Sequence, residues 1–271
     1  MGDQTTSWWR RFSLRRRRKA PQPASMTMME HLGELRSRLI VVLGTFIAVS
    51  TVAFIFFEPI SDFLLQPLCD LPPERLGPQG CQLIFNSALE PIQVRLKVTA
   101  LVGLIFSSPM WLYQLWAFVT PGLTAKEKRY ALPFVSSSVV LFAIGATLAY
   151  VTLPAALRFL ISLGGDNLVP FFTADRYLNF IGLVILAFGA SFELPLLLFF
   201  LGLAGFVTVE QLRHFRRGAI VGITLLAAVI TPSQDPYTML GMAIPLYGLY
   251  EAVIVALSFR DKRSRKASKS P

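Results

Sequence analysis

The sequence predicts an all-α integral membrane protein that crosses the bilayer six times. Of its 271 residues, 54% are hydrophobic and the mean hydropathy is +0.55, whereas ordinary soluble domains contain about 45–50% apolar residues. Long apolar stretches with few charges recur along the chain. The first has 19 residues, about 28 Å as a helix, which matches a hydrocarbon core of roughly 30 Å. The six predicted spans are Leu39–Phe57, Val98–Thr120, Ala131–Leu157, Tyr177–Val207, Gly218–Thr231 and Tyr237–Phe259.

The distribution of Lys and Arg predicts the orientation of these spans. With six crossings, 21 of the 26 basic residues fall on the side that holds both termini, and five fall on the opposite side. Cytoplasmic segments carry such an excess, so both termini are predicted to be cytoplasmic and the chain to lie in the cytoplasmic (inner) membrane. The net charge of +10 follows from this bias and from attraction to anionic lipid. It is not evidence of nucleic-acid binding.

The chain divides into three predicted parts. Residues 1–26 form a disordered basic cytoplasmic arm, because the cluster Arg15–Lys19 is followed by prolines and by no apolar run. Residues 27–259 form the membrane domain, and residues 260–271 form a basic cytoplasmic tail. The pattern Ser/Thr-x-x-Glu/Gln, which begins at Thr27, Thr124 and Thr208, predicts helix starts before spans one, three and five.

Both cysteines of the chain, Cys69 and Cys81, lie in the predicted exported loop Glu58–Glu90. The prolines of this loop exclude one long helix but permit short interfacial helices. The exported side of a membrane permits disulfides. A bridge between the two cysteines and a pair of free thiols are both compatible with the sequence.

Two prolines predict breaks within spans. Pro109 should kink the second span, and Pro195 should bend the fourth because its ring clashes with the carbonyl of Ser191. The proline-bounded turn Thr231–Pro236 is short. Spans five and six are therefore predicted to form an antiparallel hairpin.

Glu193 lies near the middle of the fourth span, where almost every other side chain is apolar. A carboxylate at the bilayer centre costs about 2.5–3.5 kcal/mol, so it should face protein, water or a partner rather than lipid. Gly182 and Gly189 share its helix face and permit close approach. With the bend at Pro195, they predict a concave surface with a polar centre. The alternative is a structural acid bonded to Ser191 or to a neighbouring helix.

The sequence carries no motif of a catalytic or metal site. It has two histidines, both predicted at the cytoplasmic rim, and no HExxH, GxSxG, paired Cys/His set or nucleotide-binding Gly-rich loop. A general base at membrane depth would have to be Glu193 or Glu251. We therefore predict that the protein is not an enzyme and uses no metal or cofactor.

Four motifs occur in a fixed order along the chain: His31-Leu32-Gly33-Glu34-Leu35-Arg36-Ser37-Arg38, Phe118-Val119-Thr120-Pro121-Gly122-Leu123 leading to Glu127-Lys128-Arg129, Phe188-Gly189-Ala190-Ser191-Phe192-Glu193-Leu194-Pro195, and Ala243-Ile244-Pro245 ahead of Glu251. Together they closely resemble the TatC family of the twin-arginine protein translocase, over roughly His31 to Phe259. The resemblance implies a glove-shaped receptor of six helices, with helices five and six short. It also implies an oligomeric complex that binds twin-arginine signal peptides of folded proteins and recruits the single-span proteins TatA and TatB.

The resemblance implies site residues as well. Glu34 and Glu127 match the family's cytoplasmic signal-peptide site, flanked by Arg36 and Phe118. Carboxylates suit this task because they bind the planar guanidinium group bidentately. The remaining matched positions are assigned to the polar centre and to partner contacts; they are Glu193 with Ser191 beside it, Asp235 in the last exported turn, and Pro67 in the first exported loop.

Simpler explanations exist for the two cytoplasmic acids. Glu127 completes a capping box, and Glu34 can pair with Arg38 four residues later. The main hypothesis is a receptor that does not itself supply the energy for transport. The resemblance implies that this energy comes from the proton motive force. The competing hypotheses are a proton-coupled secondary transporter of a small solute, with Glu193 as its proton carrier, and a structural membrane scaffold.

Overall fold

In the computed structural model, the described residues are 28–72, 76, 80–119, 131–164, 171–231 and 235–267, and they form ten helices. The helices are α1 (Met28–Ile55), α2 (Phe57–Cys69), α3 (Glu90–Phe106), α4 (Ser108–Val119), α5 (Ala131–Leu163), α6 (Ala174–Ser191), α7 (Glu193–Leu203), α8 (Val209–His214), α9 (Arg216–Ile230) and α10 (Pro236–Ala267). The predicted all-α class is confirmed.

Several of these helices are long and apolar enough to cross a membrane. Four stretches qualify alone, and the bent pair α3–α4 is a further candidate. The multi-pass character of the chain is thereby confirmed. The predicted fifth span corresponds to α9, which has 15 residues and falls below the roughly 17 residues that a crossing usually needs. The four stretches are Leu32–Ile55, Pro133–Leu163, Ala174–Leu203 and Pro236–Lys262.

Both predicted helix breaks are present. α3 and α4 meet at an angle of 53° around Ser107, because Pro109 has no backbone N–H to bond to Ile105 and its ring clashes with that carbonyl. α6 ends at Ser191 and α7 begins at Glu193, two residues before Pro195. The acid therefore lies at the restart of a helix.

The sixth predicted span is not short. α10 has 32 residues and continues past Phe259 to Ala267. After Pro245 the sequence has a single glycine and no further proline before Ala267, and the basic residues beyond Phe259 have good helix propensity. The helix consequently has no reason to stop at the end of its apolar stretch.

The capping box at Thr208 is confirmed. The Thr208 hydroxyl accepts a hydrogen bond from the backbone N–H of Gln211 at 3.2 Å, and the Gln211 side chain accepts one from the N–H of Thr208 at 2.9 Å. This reciprocal pair starts α8. Thr27 and Thr124 lie outside the described residues.

Glycines allow a close contact between α5 and α6. A Cβ atom added to Gly145 would lie 2.8 Å from the carbonyl oxygen of Phe188, and one added to Gly189 would lie 2.7 Å from Cε2 of Phe142. The same construction at Gly182 would meet Cδ1 of Leu101 on α3 at 2.6 Å. The close approach predicted for Gly182 and Gly189 is confirmed, and it brings α5 beside the break that carries Glu193.

The helices have two recognisable ends. At the first, here called the basic end, Trp116 on α4, Phe134 on α5 and Phe200 on α7 form a buried cluster, and Arg260 on α10 donates to the carbonyl of Leu203 at 3.3 Å. At the other, the loop end, the backbone near Ile84 bridges to Thr173 and α2 packs on α5 and α6. Every predicted cytoplasmic segment that is described belongs to the basic end.

Candidate functional site

Glu34 occupies the first part of α1 and is paired with Arg38, one turn later, as its spacing predicts. The Arg38 guanidinium donates from Nη2 to Oε1 of Glu34 and from Nη1 to the backbone carbonyl of Gln114 at 3.3 Å. Both side chains are largely covered, with 25% of Glu34 and 19% of Arg38 exposed. The ion pair therefore joins α1 to α4, and it leaves Oε2 of Glu34 buried without a hydrogen-bond partner among the described residues.

Of the other predicted signal-peptide residues, the structure describes Phe118 and Arg36. Phe118 is half-buried on α4, four residues beyond Gln114 and thus one turn away on the same side of that helix. Arg36 is exposed on α1. Glu127 lies outside the described residues. The structure thus brings α1 with Glu34 against the helix that carries Phe118.

Glu193 is held by a neighbouring helix, not by lipid. The hydroxyl of Ser138 on α5 donates to Oε2 of Glu193, and the indole N–H of Trp116 on α4 donates to the same Ser138 oxygen at 3.0 Å. Ser138 and Trp116 are both buried. Oε1 of Glu193 is also buried, and it has no hydrogen-bond partner within the described part of the chain. The carboxyl group therefore faces protein side chains.

Ser191 does not bond to Glu193. Its hydroxyl donates to the carbonyl of Ala187, one turn back on α6, at 2.7 Å, as buried helical serines commonly do. Of the two structural partners that the sequence suggested for Glu193, Ser191 and a neighbouring helix, the structure shows the second, through Ser138 on α5. Sequence reasoning missed Ser138 and the bond from Trp116. The available signal was the polar triplet Ser136–Ser138 inside an otherwise apolar span.

Aromatic rings enclose this hydrogen-bonded chain. The ring of Trp116 lies 5.5 Å from Phe134 and 5.3 Å from Phe200, measured between centroids. Such surroundings exclude water and strengthen the electrostatic attraction between Ser138 and Glu193. Gln114 and Trp116 are two residues apart on α4. This one helix therefore contacts both the Glu34–Arg38 ion pair, through Gln114, and the hydrogen-bonded residues Ser138 and Glu193, through Trp116.

Two further predicted residues have clear structural contacts. Asp235 is buried at the start of α10 and accepts from the backbone N–H of Thr238 at 2.8 Å and from its hydroxyl at 2.5 Å, as an N-cap residue does. Pro67 is buried in the last turn of α2. Glu251, which the sequence also predicts at membrane depth, instead pairs at 2.6 Å with Arg216, a predicted cytoplasmic residue, and accepts from Tyr247 at 3.0 Å.

The two cysteines are not bridged in the structure, but they line the same cavity, with Cys69 at the end of α2. Loss of solvent around the sulfur, the neighbouring Cys81 thiol and the nearby Asp70 together raise the pKa of the Cys69 thiol to about 12. Within the described residues, no group of three or more His, Cys, Asp or Glu side chains could hold a metal ion.

Comparison with known proteins identifies the family. The family described as Sec-independent protein translocase protein (TatC) matches residues 30–245, which is more than half of the chain. The chain belongs to the TatC family. Its general role is therefore in twin-arginine protein translocation, as a multi-pass membrane component of a translocase and not as an enzyme, which agrees with the prediction from sequence.

Individual TatC proteins match along most of their length. The Sec-independent protein translocase protein TatC of Frankia casuarinae is 43% identical over 94% of this chain and 72% of its own length, and that of Aquifex aeolicus is 38% identical over 90% of this chain and 100% of its own. A crystal structure described as the twin arginine translocase receptor TatC in DDM superposes with a TM-score of 0.70, at 40% identity, over 84% of this chain and 99% of that one. Most of this chain therefore shares the fold of that crystal structure.

Proposed function

We propose that the chain is the signal-peptide receptor of a twin-arginine translocase in the cytoplasmic membrane, with six membrane-crossing helices, a glove-like concave face and both termini in the cytoplasm. The distribution of basic residues along the sequence supports this orientation, because 21 of the 26 fall in the segments predicted to be cytoplasmic. α9 supplies the fifth crossing. Its 15 residues are accommodated by local thinning of the bilayer or by packing against α10.

The signal peptide binds at the basic end, with one of its two arginines on Glu34 and the other on Glu127, beside Arg36 and Phe118. The observation that carries this proposal is the Glu34–Arg38 pair docked on the carbonyl of Gln114. In this contact a guanidinium group already lies opposite Glu34, between α1 and α4, and this supports the proposal. A carboxylate that holds an internal arginine has the right geometry to hold an incoming one.

Arg38 has a defined part in this exchange. One oxygen of Glu34 is occupied by Arg38, whereas the second, Oε2, has no bond within the described residues. A signal arginine engages Oε2, or displaces Arg38 from Oε1 while Arg38 keeps its bond to Gln114. In either case the guanidinium group of the cargo binds the same carboxylate that already holds Arg38.

Once the arginines are docked, the apolar part of the signal enters the membrane along the concave face near Glu193. The single-span proteins TatA and TatB assemble with the chain in an oligomeric complex, to which Glu193, Ser191, Asp235 and Pro67 contribute, and anionic lipid surrounds the basic segments. The proton motive force supplies the energy. The membership of the chain in the TatC family supports this sequence of events.

The docking step is tested by binding measurements on purified full-length protein. A twin-arginine signal peptide and its Lys-Lys version are titrated into the wild type, Glu34→Gln and Glu127→Gln. We expect each substitution to weaken the Arg-Arg peptide by about 10- to 100-fold, since a hydrogen bond to a charged group contributes about 1.5–3 kcal/mol. The Lys-Lys peptide should bind weakly to all three.

The matched control is Glu210→Gln, which removes an exposed acid from α8 at the same end and should leave the affinity unchanged. Equal affinities across all peptides and variants would contradict the carboxylate assignment. The transporter hypothesis is tested separately, because it requires solute uptake by this chain alone in liposomes, whereas the receptor requires its partners and cargo. A scaffold would retain export after Glu193→Ala.

A further inference from the structure

The loop end holds a second chemical feature, formed by the only two cysteines in the chain. Cys69 is the last residue of α2, a helix fixed by its buried residues Leu64, Pro67 and Leu68. Cys81 follows Gly80, whose φ of +63° turns the chain back towards α2. Although twelve residues separate them along the chain, Cys69 and Cys81 lie close enough to line the same cavity.

Both cysteines are anchored independently of each other. After Cys81, the backbone N–H of Ile84 donates to the carbonyl of Phe172 at 3.1 Å, and the N–H of Ala174 donates back to Ile84 at 3.0 Å. Between the cysteines, Leu71 and Leu76 are buried in the main core. The thiols therefore meet because the surrounding structure places them together, and they line one wall of a cavity of about 870 Å³ between α2, α3 and α6.

We propose that Cys69 and Cys81 form a disulfide that closes the first exported loop. The proposal rests on the orientation given above, which places the loop end outside the cytoplasm, where disulfides persist. Two S–H bonds break and one S–S bond forms. The two protons and two electrons pass to an extracytoplasmic dithiol–disulfide oxidoreductase, whose own disulfide is reduced to a dithiol.

The bridge has a structural consequence for the loop. It would tie the C-terminal end of α2, which carries Pro67, to the segment that pairs with residues 172–174 at the start of α6. The loop of residues 69–81 would then be constrained at both ends in the unfolded as well as the folded protein. Reduction should release α2 from that segment without disturbing the basic end.

The test is mass spectrometry of the full-length protein from native membranes. The membranes are quenched in acid and the protein is alkylated only after denaturation, because a thiol with a pKa of about 12 reacts slowly in the folded protein and would imitate a bridge. We expect a linked pair of peptides containing Cys69 and Cys81, two hydrogens lighter than the reduced pair. Neither cysteine should be alkylated before reduction, and both should be alkylated after it.

Two sets of variants keep the result interpretable. Cys69→Ser should make Cys81 fully alkylated without reduction, and a reductant should lower the unfolding temperature of the wild type but not that of Cys69→Ser/Cys81→Ser. Full alkylation of both cysteines in unreduced wild type would overturn the proposal.

A second experiment determines on which side of the membrane the loop lies. It uses the variant Gln82→Cys, at an exposed position, in a protein that lacks the two native cysteines.

A membrane-impermeant maleimide should label the Gln82→Cys variant in intact cells. Labelling only after permeabilisation would contradict the proposed orientation, even if a bridge were found. External labelling combined with free native thiols would contradict the disulfide alone.

Discussion

α1 and the α6–α7 segment each carry one of the two acids central to this protein, but they are packed very differently. In the most apolar window of α1, 6% of residues are buried, whereas in α6–α7 the share is 50%. Glu34 on α1 is paired with a charged arginine, and Glu193 is bonded to a neutral serine inside an aromatic cluster. Each keeps one buried oxygen without a hydrogen-bond partner among the described residues.

The difference indicates two uses of a carboxyl group. An i,i+4 ion pair on one helix contributes only a few tenths of a kcal/mol, so its arginine can be exchanged for another at small cost. A buried acid with a neutral hydroxyl partner is costly to disturb, because removing the partner leaves a desolvated polar group. We therefore expect Glu34 to act mainly through binding and Glu193 to act first through structure.

The largest effect is expected from Ser138→Ala. This change removes the hydroxyl between Trp116 and Glu193, so two buried groups each lose a partner. The free energy of unfolding in detergent should fall by about 2–6 kcal/mol, at about 1–3 kcal/mol for each of the two groups. The control is Ser136→Ala, an exposed serine on the same helix that bonds only locally to Pro133, which should change stability by less than about 0.5 kcal/mol. If the two serine substitutions lowered stability equally, the bond between Ser138 and Glu193 would have no special structural role, and Glu193 would not differ from Glu34 in this respect.

A second expectation concerns the glycines on the two helices. Gly189→Ala places a methyl group 2.7 Å from Cε2 of the buried Phe142, and overpacking of this kind costs about 1–3 kcal/mol. Gly44→Ala on α1 meets no atom within 4 Å in the described structure, so it should stabilise the helix by about 0.5–1 kcal/mol. Thermal unfolding of the two variants measures both. Destabilisation by both would mean that α1 is packed as tightly as α6.

Local features of these regions were predictable from the sequence, and the contacts between helices were not. The Glu34–Arg38 spacing, the capping box at Thr208 and the breaks near Pro109 and Pro195 depend on residues within one or two turns of each other. The partner of Glu193 lies 55 residues away along the chain, and nothing in the spacing selects Ser138 over Ser191. The length of α10 was missed because hydropathy marks where lipid contact ends, not where a helix ends.

A third expectation separates the two acids by salt. Binding of the Arg-Arg peptide at Glu34 should weaken several-fold between about 0.1 M and 1 M salt, because the screening length falls from about 10 Å to about 3 Å. The stability lost in Ser138→Ala should be the same at both salt concentrations, since that bond is buried and its donor is neutral. Peptide titrations and unfolding curves at the two concentrations measure these effects. Salt-independent peptide binding would remove the role of charge at Glu34.

The smallest effect, and the one that bears most directly on the exchange at Glu34, is expected from Arg38→Gln. Removing the internal guanidinium frees Oε1 of Glu34, so the affinity for an Arg-Arg peptide should rise by less than about 5-fold, in keeping with the fraction of a kcal/mol that an i,i+4 ion pair contributes. Peptide titration against wild type measures the change.

Arg217→Gln, which removes an exposed arginine from α9, corrects for the loss of one positive charge from the basic end. A gain in Arg38→Gln that exceeds the gain in Arg217→Gln would indicate competition for the same carboxylate. A loss of affinity in Arg38→Gln alone would indicate the opposite arrangement, in which Arg38 positions Glu34 for the signal peptide by holding it against α4. The sign of this one difference thus decides whether the internal arginine is a competitor or a support.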